Sequence, residues 1–183
     1  MSDKRWYGVI LPGLAIVVYA LDQLSKYLVL KYLSVGHPWN PVPLLRSFVS
    51  LTHVTNSGAA FGLFPGAGLV FTVIAIVVAV AIIVYYRYLP KGQWLVRLSL
   101  GLQLGGALGN LTDRLRYGYV IDFVDFKVWP IFNLADAAIV IGVAILAYLI
   151  LQDKGVEEEA PLTTEGETQE GLPGAEQSTG RGY

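Results

Sequence analysis

Long apolar blocks alternate along the chain with short polar connections. Residues 69–86 carry no charge, and residues 131–151 carry only Asp136. A helix rises about 1.5 Å per residue, so roughly 20 apolar residues cross the hydrocarbon core of a bilayer. The pattern predicts four spanning helices, over residues 7–33, 68–88, 93–111 and 133–152. Two loops, 34–67 and 112–132, then fall on the same side of the membrane. The first holds Pro38, Pro41 and Pro43, which break helices. The β-branched stretches 48–55 and 120–126 predict short strands. In the third helix Gly101, Gly105 and Gly109 recur in steps of four, a face on which another helix can approach closely.

Composition agrees with a membrane class. The chain is 54% hydrophobic and 15% charged, with mean hydropathy +0.53, against about 25% charged residues in soluble domains. There is no cysteine, which excludes disulfides, thiolate catalysis and Cys-based metal sites. His37 and His53 do not stand in a metal-binding spacing. The first apolar stretch runs on through Asp22 and Lys26 without a small-residue cleavage site, so a cleaved secretory leader is not expected.

Charge is unevenly placed. Residues 1–152 hold 11 basic and 6 acidic residues, whereas residues 153–183 hold 2 basic and 8 acidic. The second part, rich in Glu, Gly, Thr and Pro, is expected to be a disordered, solvated tail. Lys4, Arg5, the short connection Arg87 to Gly92, and Lys154 place both termini on the cytoplasmic side by the positive-inside rule. Basic residues near the other face are as numerous, so charge favours this orientation only slightly.

Ionisable groups within a spanning segment cost several kcal/mol and are usually paired or functional. Asp22 and Lys26 are one turn apart in the first helix, spaced for an ion pair or for supporting a polar site. Asn110, Asp113 and Arg114 end the third helix, where Arg114 either meets the last carbonyls or donates to a substrate or a carboxylate. Asn133 suits the N-cap of the fourth helix, with Asp136 in its first turn. Asp122 and Asp125 lie in the second loop, and Asn56 lies in the first. The topology gathers Asn56, Asp136 and one or other loop aspartate near one membrane face. Two carboxylates in a low-dielectric site cannot easily both ionise, so one holds a proton while the other activates water. No HExxH, GxSxG or P-loop offers another chemistry. Two other classes would use the same residues differently. A small transporter would relay cations through Asp22 and Asp136, but the polar residues cluster at one end. An assembly factor would use the glycine face of the third helix and would not depend on Asp122.

Four blocks carry a resemblance. They are Leu21-Asp22-Gln23-Leu24-Ser25-Lys26, Asn56-Ser57-Gly58-Ala59-Ala60-Phe61-Gly62, Gly105 to Arg114 continuing through Gly118 to Phe123, and Phe132-Asn133-Leu134-Ala135-Asp136-Ala137. In this order the sequence closely resembles the lipoprotein signal peptidase (signal peptidase II) family over residues 21–137. The resemblance implies an aspartic endopeptidase of the bacterial cytoplasmic membrane. It implies a fold of four transmembrane helices with a small extracytoplasmic β-cradle and a short amphipathic segment in the first loop. It implies Asp122 and Asp136 as the catalytic pair, selecting Asp122 over Asp125 by the Gly118-x-Val120-x-Asp122 spacing. Asp22, Asn56, Asn110, Arg114 and Asn133 match the family's polar residues around the site. The implied substrate is a prolipoprotein bearing a diacylglyceryl cysteine, cut just before that cysteine on the extracytoplasmic side. Membrane lipid is the other expected partner. No metal or organic cofactor, no nucleic acid and a monomeric state are expected. The connection from 122 to 136 is short compared with some relatives, and the tail lies outside the resemblance.

Overall fold

The computed structural model describes residues 7–58, 67–90 and 92–158. Among the described residues four α-helices are present: α1 Tyr7–Tyr32, α2 Gly68–Tyr86, α3 Trp94–Tyr117 and α4 Leu134–Glu158. Helices α1, α2 and α4 are long and apolar enough to cross a membrane. Helix α3 has the length, 24 residues, without the same apolar character. Its position explains the difference. It packs against each of the other three helices, and Arg97, Ser99, Asn110 and Asp113 on it are buried. A helix sheltered by neighbours does not need the lipid-facing composition that α2 shows, where Leu69, Val70, Val73 and Val77 are all exposed.

Close packing around α3 depends on its glycines. A Cβ on Gly105 would lie 2.7 Å from both the Ala15 carbonyl oxygen and Val18 Cβ of α1. Gly106 meets the Ala135 backbone of α4 in the same way. The glycines therefore seat two helices rather than one. Pro12 interrupts α1 and leaves the Gly8 carbonyl without its helical donor. The Tyr86 hydroxyl of α2 donates to that carbonyl instead, tying the two helices together at this end.

Helix α3 runs six residues past the predicted end at Leu111. It stops where Gly118, at φ 80°, adopts the left-handed conformation and donates its N–H to the Arg114 carbonyl at 3.0 Å. The second loop accordingly begins at Gly118 rather than at residue 112. The backbone of α4 also continues six residues beyond the predicted end at Gln152. The rest of the acidic tail lies outside the described residues, as do Lys4, Arg5, Lys91 and residues 59–62 of the second block.

The two loops form one small antiparallel sheet in the order β1 (Pro38–Trp39), β2 (Val49–Asn56), β3 (Val120–Phe126). The predicted strands 48–55 and 120–126 agree with β2 and β3 to within a residue. Among the described residues the first loop carries a single 3-10 turn, Pro43–Leu45, with Leu44 and Phe48 strongly exposed, and no amphipathic segment is placed there, residues 59–66 of this loop lying outside the described residues. Val29 of α1 packs with Ile121 and Phe123 of β3 in a small core that fixes the sheet on the end of the bundle.

Candidate active site

Strand register decides which loop aspartate enters the site. Asp122 and Asp125 are three residues apart, so they point to opposite faces of β3. Asp125 pairs with Ser50 across the sheet. It accepts hydrogen bonds from Ser50 Oγ at 3.0 Å and Thr52 Oγ1 at 3.2 Å, and it is ion-paired to Lys127 at 2.5 Å. Asp122 sits opposite Val54 and is only 2% exposed. Asn56, two residues along β2 on the same face, donates from Nδ2 to Asp122 Oδ2 at 2.9 Å. Its own Oδ1 accepts the Gly58 N–H at 3.0 Å, which fixes the amide's orientation.

Helix α4 begins with a reciprocal cap. Asn133 Oδ1 accepts the Asp136 N–H at 2.9 Å, and Asp136 Oδ2 accepts the Asn133 N–H at 3.3 Å. With its oxygen committed to the cap, Asn133 turns Nδ2 outward to Asp122 Oδ1 at 2.7 Å and Asn110 Oδ1 at 3.1 Å. Asn110 in turn donates from Nδ2 to Asp136 Oδ1 at 2.7 Å. Two asparagines therefore bridge two carboxylates in an unbroken chain, Asp122 to Asn133 to Asn110 to Asp136.

A second layer supports the first. Lys26 is 2% exposed and touches Asp22 Oδ2 at 2.9 Å, Asp113 Oδ2 at 2.8 Å and Asn110 Oδ1 at 3.0 Å. Asp22 Oδ1 also accepts the Ala135 N–H of α4 at 3.0 Å. Asp113 Oδ2 accepts the Ile121 N–H, adjacent to Asp122, at 3.2 Å. Gln23 Nε2 donates to Asp22 Oδ2 and Asp113 Oδ1. The i,i+4 spacing of Asp22 and Lys26 thus serves both as an ion pair and as a support for the polar site. The sequence reading gave the Asp22–Lys26 spacing a supporting role as one alternative but did not place Gln23 or Asp113 in the site. For Asp113 the available signal was its one-turn spacing from Asn110 on α3, while Gln23 gave none. Arg114 is half-buried over the Phe71 ring, 5.6 Å from its centroid, and returns Nη1 to the Asn110 carbonyl at 3.5 Å. Among the described residues it makes no ion pair, although both carboxylates of the pair act on its charge.

Burial pushes the Asp122 carboxyl up to about 7, and the neighbouring Asp136 carboxylate pushes in the same direction. Amide donation from Asn56 and Asn133 and the charge of Lys26 oppose this only in part. Near neutral pH such a group can hold a proton and give it up. Among the described residues no three His, Asp or Glu side chains gather in a metal-holding arrangement. The oxygens of the pair meet amide donors instead.

These features define a multi-pass helical membrane protein with a paired-carboxylate site at one end of its bundle. The family model described as signal peptidase (SPase) II matches residues 14–152. The lipoprotein signal peptidase of Moorella thermoacetica is 51% identical over 148 residues, covering 81% of this chain and 97% of the relative. That of Halothermothrix orenii is 47% identical over 140 residues, covering 76% and 94%. A bacterial membrane enzyme solved by the in meso method superposes with a TM-score of 0.73 at 29% identity, covering 82% of this chain and 92% of the other. A second enzyme of that description gives 0.68 at 30% identity, over 76% and 91%. The chain belongs to the signal peptidase II family, and with it to the membrane proteases.

Proposed function

We propose that this protein is an aspartic endopeptidase that removes the signal peptide from diacylglyceryl-modified prolipoproteins, cutting just before the lipidated cysteine. The observation that carries this reading is the bridged pair, with buried Asp122 and half-buried Asp136 joined through Asn133 and Asn110. Asp122 begins protonated. Asp136, in the first turn of α4, serves as the carboxylate base. Asp136 takes a proton from water as the water oxygen attacks the scissile carbonyl carbon, and Asp122 gives its proton to the carbonyl oxygen. The resulting gem-diol collapses with cleavage of the C–N bond. Asp136 then passes its proton to the leaving nitrogen, and Asp122 recovers one from the diol. Arg114 and Asn56 stand at the rim to hold the extended substrate backbone.

The lipid anchor keeps the substrate in the bilayer, so the substrate enters laterally between helices, with its acyl chains on apolar helix faces. The same reading places the protein in the bacterial cytoplasmic membrane as a monomer. The sheet and site are extracytoplasmic, and the acidic tail is on the cytoplasmic side. Purified protein should cleave a diacylglyceryl-modified prolipoprotein, whereas Asp122→Asn and Asp136→Asn should each be folded and inactive. Asp125→Asn, altered on the other face of β3, should retain cleavage. Substantial cleavage by Asp122→Asn would exclude the pair as the catalytic groups.

A further inference from the structure

The proposed mechanism leaves Lys26, the buried cation beside the carboxylate pair, without a task. Lys26 is enclosed between α1 and α3 and is bonded to Asp22, Asp113 and Asn110. Two carboxylates already neutralise it, so its third bond, to a neutral amide, is not needed for charge balance. That bond has a chemical consequence. An ammonium group only donates, so the Asn110 atom facing it must be Oδ1. Asn110 Nδ2 is then directed at Asp136 Oδ1, and the same Oδ1 receives Asn133 Nδ2.

We propose that Lys26 is a positioning residue for the reaction, keeping the Asn110 amide a donor to Asp136 throughout the catalytic cycle. The need arises when Asp136 holds the proton taken from water. A free amide could then rotate by half a turn and accept that proton through Oδ1, retaining it on Asp136 when it should pass to the leaving nitrogen. Rotation in this site would bring the Nδ2 hydrogens against the Lys26 ammonium and Asn133 Nδ2, two donors facing a donor. With the amide held, protonated Asp136 has no acceptor there and releases its proton to the substrate. The charged groups around the pair are Asp22 and Lys26 on α1 and Asp113 and Arg114 on α3, while β2 brings the neutral Asn56. This inference rests on the proposed roles of Asp122 and Asp136.

The test is a double-mutant cycle on prolipoprotein cleavage with Lys26→Met, Asn110→Ala and the double variant, each followed from pH 5 to pH 9. Displacement of a positioned group costs on the order of 100-fold in rate. Lys26→Met should therefore lower kcat about 100-fold with KM little changed. The double variant should be no worse than Asn110→Ala. The alkaline limb of the pH profile should move up by about one unit, because a nearby cation no longer favours the ionised pair. Lys26→Arg, which also only donates, should recover most of the rate. If Lys26→Met does not fold, Lys26→Met/Asp113→Asn removes one buried charge of each sign and serves in the same cycle. Multiplicative losses in the double variant, an unmoved alkaline limb, or equal activity of the Met and Arg variants would overturn the proposal. Activity in Asp122→Asn would instead overturn the catalytic reading beneath it.

Discussion

Asn133 and Asp136 hold each other across the first turn of α4, side chain to backbone in both directions, at 2.9 and 3.3 Å. The helix cap and one carboxylate of the site therefore share the same four residues of chain. Asn133 has no exposed surface and uses all of its side-chain polar atoms, the oxygen for the helix and the nitrogen for Asp122 and Asn110.

The two duties of Asn133 can be separated. Asn133→Ser keeps an N-cap oxygen and loses the amide nitrogen, so thermal stability in detergent should stay near wild type while cleavage falls at least tenfold. Asn133→Ala loses both and should also cost about 1 kcal/mol of stability through the cap. Parallel measurements of Tm and kcat distinguish the two. Equal stability losses in Ser and Ala variants would show that the cap does not hold α4.

The proposed role of Asp122 as the acid predicts an upper pH limit for activity. The proton that this role requires is lost as pH rises through about 7. The rate constant kcat/KM for a lipidated prolipoprotein should fall above that value, about tenfold per unit. A profile flat from pH 6 to pH 9 would remove Asp122 as the acid.

The same shift is a stability term with a definite sign. The Asp122 carboxyl is raised from an ordinary 3.8 to about 7, so the native state favours its protonated form. That contribution is fully present below pH 4 and is lost as pH rises through 7. Asp122→Asn has no such proton to lose. Its stability relative to wild type should increase between pH 4 and pH 7, by on the order of 4 kcal/mol at most, and then level off. Unfolding midpoints of both proteins at pH 5 and pH 8 measure this, and a constant difference would mean that Asp122 is not shifted.

Gly109 leaves room for Asp22. A Cβ there would press on the Asp22 carboxylate, 3.0 Å from its Cγ, and on Ala135 Cβ at 3.4 Å. The carboxylate cannot yield, because Lys26, Gln23 and the Ala135 N–H hold it. Gly109→Ala should cost about 1–3 kcal/mol and reduce cleavage. Gly13→Ala, with nothing within 4 Å of the new methyl, should leave both unchanged or raise stability slightly. Comparison of the two Tm values against wild type is the check.

Much of this molecule was legible in its sequence because lipid imposes a simple rule. Apolar runs of spanning length located α1, α2 and α4, since a helix facing hydrocarbon must be apolar along its length. Asn133 before an apolar run announced the start of α4 by its own capping chemistry. β-branched stretches located β2 and β3. The end of α3 was not legible, because polar residues from Asn110 to Arg116 look like loop when counted by hydropathy. They are helical because α1, α4 and β3 supply their partners, and the helix ends only where Gly118 turns left-handed.

The site divides in the same way. Local sequence determined the residue types, the caps and the i,i+4 spacing that places Asp22 beside Lys26. It could not choose between Asp122 and Asp125 from composition, because both stand among apolar neighbours in one strand. Tertiary structure decided that choice through a two-residue period. The pairing of β3 with β2 turns Asp122 toward Asn56 and α4, and turns Asp125 toward Ser50, Thr52 and Lys127. It also decided that Lys26 reaches Asp113 and Asn110, 87 and 84 residues away in sequence. Hydrogen bonds of that range depend on which helices pack together, and only the folded bundle sets that.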